Sequence, residues 1–145
     1  MEDLKYKDTV KEAIAIALVG LMRERHINKI SIKDIVERAG VGRSSFYRNF
    51  SSKEDILLHC IDQLFDDTRE SRRFDDGNVR PFMIAQFRAC KQSQDLFLAL
   101  RDSDLLYLLY WRAVRDVKRS VARHNLYRNP YQAAFFSGAG ISVLI

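Results

Sequence analysis

The sequence predicts an all-α protein. Apolar residues recur at helical spacing through most of its length, and no strand-like alternation or hairpin dipeptide interrupts them. Two stretches also carry a helix-start signal, Ser31 with Asp34 three residues on and Ser52 with Asp55 three residues on. With 145 residues, 47% of them hydrophobic, the chain can bury one sizeable core or two small ones.

A first helix is expected over about 6–25, where Val10, Ile14, Ala17, Leu18 and Leu21 form an apolar stripe and Arg23 and Arg25 suit the C-terminal end. A second starts after Ser31, with Ile32, Ile35, Val36 and Ala39 on one face. Gly40 ends it, because glycine enters the left-handed conformation without steric cost. A third, short helix runs from about Arg43, with Phe46, Tyr47 and Phe50 on its apolar side. A fourth covers about 53–68 through Ile56, Leu57, Cys60, Ile61, Leu64 and Phe65. The polar stretch 69–80 reads as a linker, followed by helices over about 82–92, 95–100 and 105–123. A last helix is expected over 130–145. Tyr131 to Ile145 carries no charge, so this end should be buried against a partner, or the chain is a truncated piece of a longer one.

Helix, tight turn, short helix is the layout whose second helix can enter a major groove of DNA. The charges agree. Net charge is +5, spread evenly, since residues 1–56 hold 11 basic and 9 acidic groups and residues 57–145 hold 13 and 10. Locally, however, no acid lies between Arg38 and Lys53, while Arg38, Arg43, Arg48 and Lys53 supply cations among Ser44, Ser45, Asn49, Ser51 and Ser52. Cations release counterions from phosphates, and short polar side chains reach phosphates and base edges. A charge run alone usually marks a solvated face, but here the acid gap coincides with the capped helix pair.

These residues resemble the N-terminal DNA-binding domain of the TetR/AcrR family of bacterial transcriptional regulators. The resemblance rests on Ile32 and Ile35, Ala39-Gly40-Val41 at the turn, Phe46-Tyr47-x-x-Phe50, and Ser52 to Leu57, and it covers about residues 7–60. Gly42 departs from the pattern, which often has a serine or threonine that caps the third helix and touches a phosphate. Val36 stands where alanine is common.

The resemblance implies a helix-turn-helix domain over 1–52 and a helical ligand-binding and dimerisation domain over 53–145. It implies a homodimeric repressor on a palindromic double-stranded DNA operator, controlled by a small-molecule or protein effector through a shift of the fourth helix. Residue chemistry and resemblance together give a DNA-contacting set of Ser31, Lys33, Gly42, Arg43, Ser44, Ser45, Tyr47, Arg48 and Lys53. Arg43, Ser44 and Ser45 would lie near base edges, and Tyr47 and Lys53 at phosphates. Phe87, Phe97, Tyr107, Tyr110 and Trp111 are candidates to line an effector pocket, against the plainer reading of a packed core.

Other chemistry is not expected. No nucleophile motif, phosphate-cradling glycine loop or recognisable acid pair points to an enzyme, and no cofactor is implied. His26, His59 and His124 lack metal-ligand spacing, and Cys60 and Cys90 read as reduced, buried thiols. Both charge signs precede the first apolar run, which at Ala13 to Met22 is too short to span a bilayer, so a cytoplasmic protein with no membrane contact is expected. The arginines at 112, 115, 119 and 123 read as a solvated stripe. The rival to DNA binding is a helical co-regulator that acts through protein contacts.

Overall fold

The computed structural model describes residues 2–67 and 80–124, and every regular element among them is helical. In chain order these are α1 (Glu2–Glu24), a single 3-10 turn (Ile27–Lys29), α2 (Ile32–Ala39), α3 (Arg43–Asn49), α4 (Lys53–Asp67), α5 (Arg80–Gln92), α6 (Gln94–Asp102) and α7 (Leu106–His124). The seven helices match those expected from sequence among the described residues, with α1 starting four residues and α5 two residues earlier, and the 3-10 turn is an addition to them. The expected linker lies, apart from Arg80, outside the described residues, as does the helix expected over 130–145. None of the described helices is long and apolar enough to cross a membrane.

Two compact units emerge, one comprising Met1–Cys60 with Asp95–Ser103 and the other Ile61–Gln94 with Asp104–Ile145. In the first, α1 packs on α2 and α3, and α2 packs on α3. The stripe read from sequence is buried: Val10, Ile14, Ala17, Leu18 and Leu21 face inward with Ile35, Val36, Phe46, Phe50, Ile56 and Leu57. Burying each large apolar side chain contributes about 1.5–3 kcal/mol, which is what holds such short helices in place. α6 belongs to the same unit through buried Leu96, Ala99 and Leu100. Arg23 pairs with Asp102 at 3.1 Å and Asp95 at 3.8 Å, and the buried Ser103 hydroxyl accepts the Ile27 N–H at 3.4 Å.

In the second unit Ile61, Leu64, Ala89, Cys90, Leu109 and Ala113 are buried. Arg112 corrects the solvated-stripe reading. It is 5% exposed, its Nε donates to Asp62 Oδ1, and its guanidinium lies 5.1 Å from the Phe65 ring centre. Arg115 stays exposed and reaches the same carboxylate oxygen at 3.5 Å. A buried guanidinium persists because a carboxylate and an aromatic face replace its water. Burial also pushes the Cys60 thiol up to about 11, so it stays protonated and unreactive at neutral pH.

The α2–α3 turn follows from one residue. Gly40 adopts φ 65° and ψ 29°, its N–H reaches the Glu37 carbonyl, and the Val41 N–H reaches the Val36 carbonyl at 3.0 Å. This double closure satisfies the last carbonyls of α2 and reverses the chain into α3. A Cβ at Gly40 would meet nothing within 4 Å, so only backbone strain opposes substitution. Gly40→Ala should therefore lower stability by about 1–2 kcal/mol in urea unfolding. An unchanged midpoint would show that the turn is held by something other than this conformation.

Candidate nucleic-acid interface

α3 has seven residues, and their division between inside and outside is sharp. At about 100° per residue, Arg43, Tyr47, Ser44 and Arg48 share an arc of about 140°. All four are exposed. Across the helix from that arc, Ser45 and Asn49 are half-buried and Phe46 is fully buried, and Phe50, the extended residue that ends α3, is nearly buried as well. The Asn49 amide donates to the Ser45 carbonyl at 2.7 Å. Tyr47 stands edge-on to Phe46, centroids 5.3 Å apart, so its ring leans on the core while 56% of the residue remains open to solvent.

The four cations of the acid gap have different fates. Arg38 pairs with Glu24 at 2.8 Å, which neutralises it within the chain. Lys53, placed at a phosphate by the family resemblance, is half-buried, and its ammonium donates to the Ile27 and Ile30 carbonyls, both at 2.8 Å. Arg43 and Arg48 have no ion pair or hydrogen bond among the described residues, and both lie on the outer face of α3. Lys33 is exposed and loosely paired with Glu37 at 3.7 Å on the adjoining helix.

The remaining sequence candidates hold the frame. Ser31 is spent on capping: its hydroxyl accepts the Asp34 N–H at 3.2 Å and donates to the Asp34 carboxylate at 2.8 Å, which also takes the Ser31 N–H at 2.8 Å. Ser52 caps α4 by accepting the Asp55 N–H at 3.1 Å, whereas the Asp55 carboxylate turns to the N–H and hydroxyl of Ser51. Gly42 precedes α3 with φ −76° and supplies no side-chain cap, and its backbone does not require glycine. Sequence reasoning passed over the Arg38–Glu24 and Lys53–carbonyl contacts, because both partners are distant in the chain and no local spacing signals them.

The aromatic candidates for an effector are divided between the two units. Phe97 is half-buried in the first unit, while Phe87, Tyr107, Tyr110 and Trp111 belong to the second and are exposed. Tyr107, Tyr110 and Trp111 share one face of α7, at helical spacing, with Tyr110 edge-on to Trp111 at 5.8 Å.

Residues 16–60, which contain the whole of α2 and α3, match the family model for bacterial regulatory proteins of the tetR family. This segment carries a tetR-family domain. The chain is 38% identical over 61 residues to the uncharacterized HTH-type transcriptional regulator YvdT of Bacillus subtilis, a match covering 37% of this chain and 31% of that protein. It is 31% identical over 90 residues to the HTH-type transcriptional regulator EthR of Mycolicibacterium smegmatis, covering 62% and 40% respectively. The EthR of Mycobacterium tuberculosis is 36% identical over 52 residues, covering 36% and 24%. The matches thus span between about a quarter and two fifths of these relatives' own length. No solved structure gives a significant match.

The Ser31 cap carries a titratable group. The Ser31 N–H, then its hydroxyl, and more weakly the Arg25 guanidinium at 3.1 Å hold the Asp34 carboxyl below its ordinary 3.8. A lowered carboxyl stabilises the fold fully above 3.8 and loses that contribution as pH falls through the folded value. The stability gap between the protein and Asp34→Asn should be constant near neutrality and close in acid below 3.8. Thermal melts across that range test it, and a gap that persists in strong acid would contradict the assignment.

Proposed function

We propose that the chain is a DNA-binding transcriptional regulator whose α3 enters the major groove of a duplex. The observation that carries this reading is the outer face of α3, where Arg43, Ser44, Tyr47 and Arg48 project from a helix anchored by buried Phe46. Arg43 and Arg48 keep their charge available for phosphates or guanine edges, and Ser44 and the Tyr47 hydroxyl offer short hydrogen bonds. Ser45 borders this face, and Lys33 supports it from α2. Gly42 leaves the start of α3 open to a phosphate, and Ser31 serves the frame.

The proposal extends to a homodimer on a palindromic operator, in the cytoplasm, acting as a repressor. The tetR-family domain and the relatives named as HTH-type transcriptional regulators support that extension. An effector is part of it: Phe87, Tyr107, Tyr110 and Trp111 offer aromatic surface in the second unit, and Phe97 in the first. The boundary between reading head and effector region is proposed at residues 52 and 53. A second reading, a helical co-regulator working through protein contacts, is favoured by the exposed aromatic face of α7.

Genomic-fragment selection followed by titration against salt separates the two. The double variant Arg43→Ala, Arg48→Ala should lose at least about 10-fold in affinity for the selected duplex, with a salt slope shallower by about 1–2. Its melting temperature should stay close to that of the parent, since exposed, unpaired positions rarely contribute more than about 0.5 kcal/mol. Undiminished binding would remove α3 from the interface. Gly42→Ser should tighten duplex binding in a salt-sensitive way, because its Cβ meets only Ser44 Oγ at an ordinary 3.7 Å; unchanged affinity would mean that no phosphate lies at that corner.

A further inference from the structure

Lys53 is the first residue of α4, where a positive charge opposes the helix dipole and where Glu54 and Asp55 are the favourable residues. Its place needs another cause. The ammonium donates to the Ile27 and Ile30 carbonyls, each at 2.8 Å. Both isoleucines are anchored, at 4% and 2% exposure. The Ile27 carbonyl already takes the Ile30 N–H at 3.1 Å, closing the 3-10 turn, and Lys53 adds a charged donor to it. Residues 30 and 53 bracket the whole of α2 and α3. The contact therefore shuts the base of the loop that carries the reading face, next to the two serine caps.

We infer that Lys53 is a positioning residue. Its ammonium fastens the start of α4 to the turn before α2 and thereby fixes the pose in which α3 meets a duplex. The inference rests on the DNA-binding reading of α3 for its consequence, but the clamp itself does not. A charge-assisted hydrogen bond is stronger than a neutral one, and two of them to buried main chain hold the segment more firmly than a solvated lysine could. The role differs from a phosphate contact in what it controls: pose and discrimination between sequences, with the count of neutralised phosphates unchanged.

The direct test uses the unmodified, isotope-labelled protein. Couplings through the hydrogen bonds from Lys53 Nζ to the Ile27 and Ile30 carbonyl carbons should be present in the free protein and persist with a selected duplex bound. Their absence, or replacement on binding by coupling to duplex phosphorus, would overturn the inference. Lys53→Met keeps the aliphatic stem and removes the donors. It should speed amide exchange over residues 41–50 by about 10-fold and weaken the selected duplex by a similar factor. Affinity for a random-sequence duplex and the salt slope should not move. A slope shallower by about 0.9, with both duplexes weakened alike, would make Lys53 a phosphate contact instead. Should the parent protein bind no duplex, the DNA reading fails while the free-protein couplings still decide the clamp. Those couplings also decide it if Lys53→Met does not fold.

Discussion

The structure depends on the burial of Phe46. A seven-residue helix is too short to persist in water on its own, because nucleation costs more than so few hydrogen bonds return. α3 exists because Phe46 is fully enclosed and Phe50 nearly so, in a core built by α1, α2 and α4. That anchoring also decides what α3 presents. With Phe46 enclosed and Ser45 and Asn49 half-buried, helical geometry leaves Arg43, Ser44, Tyr47 and Arg48 outward. Packing and the proposed recognition surface are two sides of one constraint.

Polar and charged contacts add a second frame around α3. Gly40 turns the chain, the Ser31–Asp34 box starts α2, Ser52 starts α4, and Lys53 closes the base. Arg25–Asp34 at 3.1 Å and Arg38–Glu24 at 2.8 Å tie α2 to the end of α1. These exposed pairs contribute little stability each, about 0–1 kcal/mol, so their value is in register rather than strength. Arg38 and Lys53 are thereby occupied, and the proposed contact face is left to Arg43 and Arg48.

The helices, the turn at Gly40, both serine caps and the buried stripe of α1 were legible in the sequence, because each rests on contacts within a few residues. The Arg43–Arg48 face was legible too, through the missing acids. Long-range pairing was not. Arg112 sits on a helix rich in arginine and looks solvated until Asp62 and Phe65, distant in the chain, are brought beside it. The same distance hid the Lys53 clamp and the inclusion of α6 with the first unit. Phe87, Tyr107, Tyr110 and Trp111 show the opposite limit, since aromatic composition cannot distinguish a pocket wall from an exposed helix face.

Tyr47 reports whether α3 meets a duplex, because 56% of the residue is exposed on the proposed contact face. Hydroxyl-radical oxidation can be read residue by residue, with and without a duplex recovered by fragment selection. Entry of α3 into the groove requires strong protection of Tyr47 on binding. Equal oxidation of Tyr47 in the free protein and in a saturated complex would contradict it.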